Sequence, residues 1–271
     1  MSDNTWIYDH TYQTTAELTN IFPETNFLLQ FCAHQQTAIL QFWQSRPTII
    51  LGLQDKHLSH LKQGLQLLRQ KQYTYFIRNS GGLAVVCDPG VLNVSFFIPP
   101  TAAYSIEEAY ELAFSYLQRS LPELSLEHYQ IDHSYCPGTY DLVVAGKKIG
   151  GMAQRRRHQA VVVMLYLSVN GDQLQRGQVL QHFYQIANTA QDATFPTVWP
   201  QSMANIQDFF SNAFTVTDCK KRILQTYKQD YPHLQLMSPT ELAQQPDFAA
   251  IITREKTHQQ HLNQILNQEV H

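Results

Sequence analysis

Four short segments of this 271-residue chain carry side chains capable of chemistry. The first is Ser134-Tyr135-Cys136-Pro137-Gly138-Thr139-Tyr140-Asp141. A cysteine just ahead of Pro-Gly sits on a turn, where its sulfur is reachable; structural cysteines lie more often inside strands and helices. As a thiolate, Cys136 could form a covalent intermediate, which requires a nearby cation to lower its pKa. On residue type alone an inert cysteine is the commoner case. The second segment is Arg78-Asn79-Ser80-Gly81-Gly82-Leu83-Ala84-Val85. Adjacent glycines after a strand let backbone approach a ligand where a Cβ would clash. The alternative is a plain strand-end turn. No Gly-Lys-Ser/Thr follows, so it is not a Walker A loop, and it is not a Gly-x-Gly-x-x-Gly dinucleotide fingerprint either.

The third segment, Gly146-Lys147-Lys148-Ile149-Gly150-Gly151-Met152-Ala153-Gln154, brings two lysines into a strand and then two glycines. Lys147 and Lys148 point to opposite faces, so one can face solvent while the other enters a site; on pattern alone, two solvated hairpin charges are the commoner case. The fourth, Arg155-Arg156-Arg157-His158, is a charge run of the kind that usually forms a solvated loop. Beside a reactive site it would make a docking patch for an acidic partner. His57/His60 and His258/His261 have helical spacing, but no carboxylate or cysteine cluster accompanies them, so no metal site is expected. His133 could serve Cys136 as a base; a plain loop histidine is the simpler reading.

The elements that must position these segments are legible in part. Residues 37–43 and 47–51 predict strands around a turn at Ser45-Arg46-Pro47. Leu58, Leu61, Leu65 and Leu68 recur at helical spacing. Residues 73–78 and 91–98 predict strands. Ser105 with Glu108 forms a capping box, starting a helix to about Arg119. Residues 140–145 and 147–152 flank Gly146 as a hairpin. The apolar run 160–169 predicts a central strand buried on both faces. Residues 202–230 read as two helices, Ser238-Pro239-Thr240-Glu241 as a helix start, and Asp247 to about Val270 as a polar helix anchored by Ile252, Leu262 and Ile265. The expected architecture is one mixed α/β catalytic domain over residues 30–215 with a helical C-terminal extension over 216–271.

Hydrophobic residues make up 44% and charged residues 15%, the balance of a globular chain. A net charge of −3 argues against bulk binding to nucleic acid or a membrane surface. The N-terminal stretch is polar with no apolar leader segment, and no run is long enough to span a membrane, so a cytoplasmic location is the expectation. Cys32, Cys87, Cys136 and Cys219 form no C-x-x-C pair and are expected to be reduced.

Taken in order, these motifs resemble a known family. Arg78 through Val85 is similar to the Arg-x-Ser-Gly-Gly-Gly-Ala-Val motif of lipoate-protein ligases, and Lys148-Ile149-Gly150-Gly151-Met152-Ala153 to their Lys-hydrophobic-small-Gly-Ser-Ala motif. Ser134 through Leu142 closely resembles the octanoyl-[GcvH]:protein N-octanoyltransferases of Gram-positive bacteria, in which that cysteine carries the acyl group. Leu83 stands at the third glycine of the ligase loop and Cys87 where ligases usually carry histidine. Both departures favour a transferase over a ligase.

The resemblance implies the mixed-sheet α/β fold shared by biotin and lipoate protein ligases. It also implies a reaction: an octanoyl group passes from the lysine of the glycine-cleavage H protein, through a Cys136 thioester, to lysines of E2 lipoyl domains. Splitting the transfer this way replaces one hard amide exchange with two easier steps. Lys148 would lower the Cys136 pKa and polarise the acyl carbonyl. Arg78, Ser80, Gly81, Gly82, Val85, Ile149, Gly150, Gly151 and Met152 would bind the acyl group, and Arg155, Arg156 and Arg157 would dock acidic protein partners. No cofactor and no metal is implied. Three alternatives stay open: an ATP-dependent lipoate-protein ligase, an octanoyltransferase fed by acyl carrier protein, and a non-catalytic lipoyl-domain-binding module.

Overall fold

Buried at nearly every residue, Val91–Ile98 and Ala160–Ser168 pair antiparallel, Val94 opposite Leu165, inside an eight-stranded sheet. The computed structural model describes residues 5–268. In chain order it begins β1 (Thr5–Tyr12), α1 (Thr15–Leu18), α2 (Ile21–Gln35), β2 (Ile39–Ser45), β3 (Thr48–Leu51) and α3 (Leu61–Gln70). There follow β4 (Thr74–Ile77), β5 (Val85–Cys87), β6 (Val91–Ile98), α4 (Ile106–Ser120), β7 (Leu126–His128), β8 (Asp141–Val144) and β9 (Lys147–Arg157). The chain then continues through β10 (Ala160–Ser168), α5 (Gln173–Ala187), α6 (Val216–Asp230), β11 (Leu234–Met237), α7 (Pro239–Ala243) and α8 (Phe248–Gln268).

The large sheet has the order β11-β1-β2-β6-β10-β9-β8-β7, and a small one has the order β4-β3-β5. In the large sheet β1 runs parallel to both β11 and β2; every other pair is antiparallel. One face packs on α4 and α6 through Ala113, Leu117, Ile223 and Tyr227; α2 covers part of the other through Phe27 and Leu28. The small sheet packs on α3 and α5 through Leu65, Leu68, Leu180 and Phe183. Both capping boxes read from sequence are formed, at Ser105/Glu108 and Ser238/Glu241, each replacing orphan N–H bonds at a helix start for about 1 kcal/mol.

Three expectations change. Residues 202–230 hold a single helix, α6; before it come short 3-10 turns at Pro200–Ser202 and Ile206–Phe209, where Asn205 and Asp208 cap one another. The segment from 216 onward is not a purely helical extension, because β11 extends the large sheet beyond β1 and α6 joins its main core. Nor is the sheet confined to the expected domain over residues 30–215: β1 pairs with β2 from Trp6 opposite Ile39 to Tyr12 opposite Ser45. Residues 1–4 and the end of the expected tail helix at Val270 lie outside the described residues. Among the described residues, no helix is long and apolar enough to cross a membrane.

Candidate active site

Cys136 sits at φ 47°, in the left-handed region that a side chain with a Cβ adopts at a cost of about 1–3 kcal/mol. Something must hold it there, and Lys148 does. Its ammonium lies 2.8 Å from the Cys136 carbonyl, 2.9 Å from that of Tyr135, 3.2 Å from Ser134 Oγ and 2.8 Å from Asp141 Oδ1. Asp141 also accepts the N–H of Ile131 at 3.1 Å, tying down the start of the same loop. Lys148 and Asp141 are both buried. Burial pushes the Asp141 carboxyl above its ordinary range, and the adjacent Lys148 charge opposes that rise. Beneath the turn, Tyr135 is anchored by hydroxyl contacts with Tyr166 at 2.9 Å and Gln173 at 3.2 Å.

The sulfur faces the Gly-Gly loop. Leu83 N–H donates to Cys136 Sγ at 3.5 Å and Arg78 Nη2 at 3.6 Å. The Arg78 guanidinium also stitches its own loop, donating to the carbonyls of Gly81 and Leu83. Gly82 has φ +87°, and a Cβ there would lie 2.7 Å from Arg78 Nη2 and 3.3 Å from Sγ. Glycine at this position is what lets the cation reach the thiol. Below it Gly52 is equally obligatory, since its Cβ would meet the Gly82 carbonyl at 1.8 Å. A buried relay holds the loop from beneath: Ala84 N–H donates to the Tyr184 hydroxyl, which donates to Asp55, which accepts Gly52 N–H.

Cys136 opens onto a cavity of about 420 Å³, inside the range of small-molecule sites. Phe22, Trp43, Ile50, Val85, Met152 and Met164 give it apolar walls; Arg78, Ser80, Gly81, Gly82, Lys148 and Gly151 also line it. The other three cysteines are unsuited to nucleophilic work, because burial pushes each of the Cys32, Cys87 and Cys219 thiols up to about 12. Cys136 is half-buried. Among the described residues no group of three His, Cys, Asp or Glu side chains is placed to hold a metal.

The family model for the lipoyl protein ligase A/B catalytic domain matches residues 22–228. The chain belongs to that family. Similar members include the octanoyl-[GcvH]:protein N-octanoyltransferase of Oceanobacillus iheyensis, 34% identical, the alignment covering 82% of this chain and 83% of that one. The enzyme of the same name from Exiguobacterium sibiricum is 39% identical, covering 71% and 72%. The lipoyl-[GcvH]:protein N-lipoyltransferase of Listeria monocytogenes is 35% identical, covering 72% of each. Among solved structures, lipoate-protein ligase A bound with ATP superposes with a TM-score of 0.69 at 15% identity, covering 95% of both chains. The lipoate-ligase fold expected from the motifs is therefore the one observed.

Within this family member, several expected site residues hold other positions or tasks. Ile149 and Gly150 do not line the cavity: Ile149 is wholly buried in the main core, and Gly150 lies against the Tyr166 carbonyl. The reason is a β-bulge. Register slips between β8 and β9, so that Leu142 faces Gly150 but Val143 faces Lys148. That extra residue offsets the alternation and puts Lys148 and Gly151 together on the cavity side. The cation in contact with the sulfur is Arg78, while Lys148 lines the same cavity. An ammonium has three donors, and four acceptors already surround this one.

Nor do the three arginines form one patch, because they continue β9 and alternate. Arg155 bonds inward to Asn26 and Asn79, and Arg157 pairs with Glu255; only Arg156 is exposed. His133 stacks on Trp199 with ring centroids 3.5 Å apart and its Nδ1 meets the Thr197 carbonyl, so it is engaged away from the sulfur. Asp141, Asp55 and Tyr184 were missed. Asp141 closes the Cys-Pro-Gly-Thr-Tyr-Asp motif and could have been found there; Asp55 and Tyr184 carry no local signal.

Proposed function

We propose that this chain is an acyltransferase that moves an octanoyl group from the lysine of the glycine-cleavage H protein to lysines of E2 lipoyl domains, through a thioester on Cys136. The observation that carries the reading is a strained, half-buried cysteine whose sulfur meets a guanidinium and a backbone N–H at the wall of a largely apolar cavity. The names of the bacterial relatives support the donor and the acyl group.

The Cys136 thiolate attacks the donor amide carbonyl; the C–S bond forms and the π electrons move to oxygen. Leu83 N–H and Arg78, already beside the sulfur, are the donors placed to stabilise that oxyanion. Collapse breaks the C–N bond, and the departing lysine amine takes up the proton that Cys136 released on ionising. In the second half the acceptor's neutral amine attacks the thioester, the C–N bond forms, the C–S bond breaks to release the thiolate, and the nitrogen sheds one proton. An amide replaces an amide, so no ATP is consumed. Lys148 and Asp141 hold the turn that presents the sulfur. Of the arginine run only Arg156 is exposed, and its guanidinium is already held by Gln154 and by the carbonyls of Tyr104 and Ser105.

Incubation with octanoylated H protein and a lipoyl domain, without ATP, tests the proposal. The acyl group should move to the lipoyl domain and Cys136→Ala should be inert. A lipoyl-bearing H protein run in parallel reads out the activity named for the Listeria relative. Transfer only with ATP and free lipoate, transfer only from acyl carrier protein, or binding without transfer would overturn it.

A further inference from the structure

Among the described residues helix α8 lines no part of the acyl cavity, yet it grips the root of the sulfur-binding loop. β4 is an outer strand of the small sheet, and it ends at Ile77, immediately before Arg78. The outward backbone groups of Ile77 would be left bare at that edge. The Asn263 carboxamide takes both: its Oδ1 accepts Ile77 N–H at 2.8 Å and its Nδ2 donates to the Ile77 carbonyl at 3.1 Å. Gln259 donates to the same carbonyl. One side chain thus does what a neighbouring strand would do. On the inner side of the same step, Arg78 N–H donates to the Leu51 carbonyl at 2.9 Å. The backbone entering Arg78 is clamped from both sides.

A second chain of contacts reaches the next residue. Arg155 Nη2 donates to the carbonyl of Asn79 at 2.7 Å and to its Oδ1 at 2.9 Å. Arg155 Nη1 is held by Asn26, whose Nδ2 donates to Glu255 Oε2 at 2.7 Å, and Arg157 bonds the other Glu255 oxygen at 3.2 Å. Glu255, Gln259 and Asn263 are spaced by four, so they line one face of α8. Where a docked helix commonly presents an apolar stripe, this one presents a polar stripe to Ile77 and to the side chains that hold Asn79. Ile252 and Leu266, both buried, anchor the helix at either end of that stripe.

We infer that α8 is a brace for the Arg78 loop, and that Asn263 is a positioning residue that keeps the Arg78 guanidinium against the Cys136 sulfur. The Nη2–Sγ contact is 3.6 Å, an ordinary length for a sulfur acceptor, and a loop shift of about 1 Å would carry it out of reach. The consequence for acyl transfer rests on the transferase reading above; the consequence for the thiol does not, because alkylation needs no acyl donor.

The test follows Cys136 alkylation rate against pH in the full chain, with thermal unfolding measured alongside. Asn263→Leu removes both polar contacts at similar size. Alkylation near neutral pH should slow roughly tenfold, in the same direction as in Arg78→Ala. Asn263→Asp keeps the acceptor for Ile77 N–H, loses the donor, and should slow alkylation by less; it serves if the leucine variant does not fold. Thr253→Ala, on the exposed side of α8, should leave the profile unchanged. In an Arg78→Ala background, Asn263→Leu should add nothing. An unchanged Cys136 profile in a folded Asn263 variant, or a full further shift in the Arg78→Ala background, would overturn the brace. Loss of transfer from H protein with a normal alkylation profile would also count against it.

Discussion

Replacing Lys148 with methionine separates what that residue does for the fold from what it does for the thiol. Lys148 is 5% exposed and Asp141 2%, and their ion pair spans 2.8 Å. Removing one partner of a buried pair strands the other charge, at a cost of about 3–5 kcal/mol. Asp141 keeps the Ile131 N–H and can take up a proton, since burial already lifts its carboxyl, so the cost should fall at the lower end. For a chain of this size about 3 kcal/mol lowers Tm by roughly 6–12 °C.

Lys148→Met/Asp141→Asn removes both charges and should regain more than half of that loss. It should not regain function. The carbonyls of Tyr135 and Cys136 still lack the ammonium that holds Cys136 at φ 47°, and transfer should stay depressed by about a hundredfold, the effect of a roughly 1 Å misplacement. Thermal unfolding and single-turnover acyl transfer on the two single variants and the double variant give the answer. If Lys148→Met unfolds like the unmodified protein, or if the double variant recovers stability and transfer together, the assignment of Lys148 as the clamp on the nucleophile turn is wrong.

Gly82→Ala should lose transfer by about 10–100-fold, the worth of one charge-assisted hydrogen bond, because its Cβ would push Arg78 Nη2 off the sulfur; a near-normal rate would refute that geometry. Burial holds the Asp55 carboxyl up to about 6, against the lowering pull of its bonds from Gly52 and Tyr184. The folded chain therefore keeps this proton to higher pH than the unfolded chain does. Stability should fall by roughly 3 kcal/mol as pH rises from about 4 to about 6, then level off. Asp55→Asn should flatten that fall in denaturation curves taken across the range, and an unaltered slope would refute the assignment. Iodoacetamide at about pH 8 should label the folded protein once, on Cys136, since the other three thiols are buried and held up to about 12; a second adduct by intact mass before unfolding would contradict this.

What was legible in the sequence was local. Cys136 ahead of Pro-Gly, the paired glycines after a strand, and a lysine at a hairpin each announce themselves within a few residues. What was not legible is how they meet. Arg78 reaches the sulfur of a residue 58 positions away, and Tyr184 reaches Asp55 across 129. The resemblance of the lysine strand to the ligase motif placed Ile149 and Gly150 near the ligand, and one bulged residue turned them away. The arginines read as a single charge run because the expectation ended their strand early; as part of β9 they alternate, and two of the three serve the interior. Helix α2 escaped notice because it is buried almost all round and shows no polar face to set a period. β11 is four residues long, with exposed Gln235 and Leu236, too short to signal a strand.

The central claim is a covalent acyl-enzyme on one named sulfur. Intact-mass spectrometry after mixing the protein with octanoylated H protein, in the absence of acceptor, tests it most directly. The account predicts a mass increase of one octanoyl group, mapped by peptide analysis to Cys136, discharged on adding a lipoyl domain and absent from Cys136→Ser. Transfer that proceeds with no adduct on the enzyme, or an adduct that maps to Cys87, would contradict it.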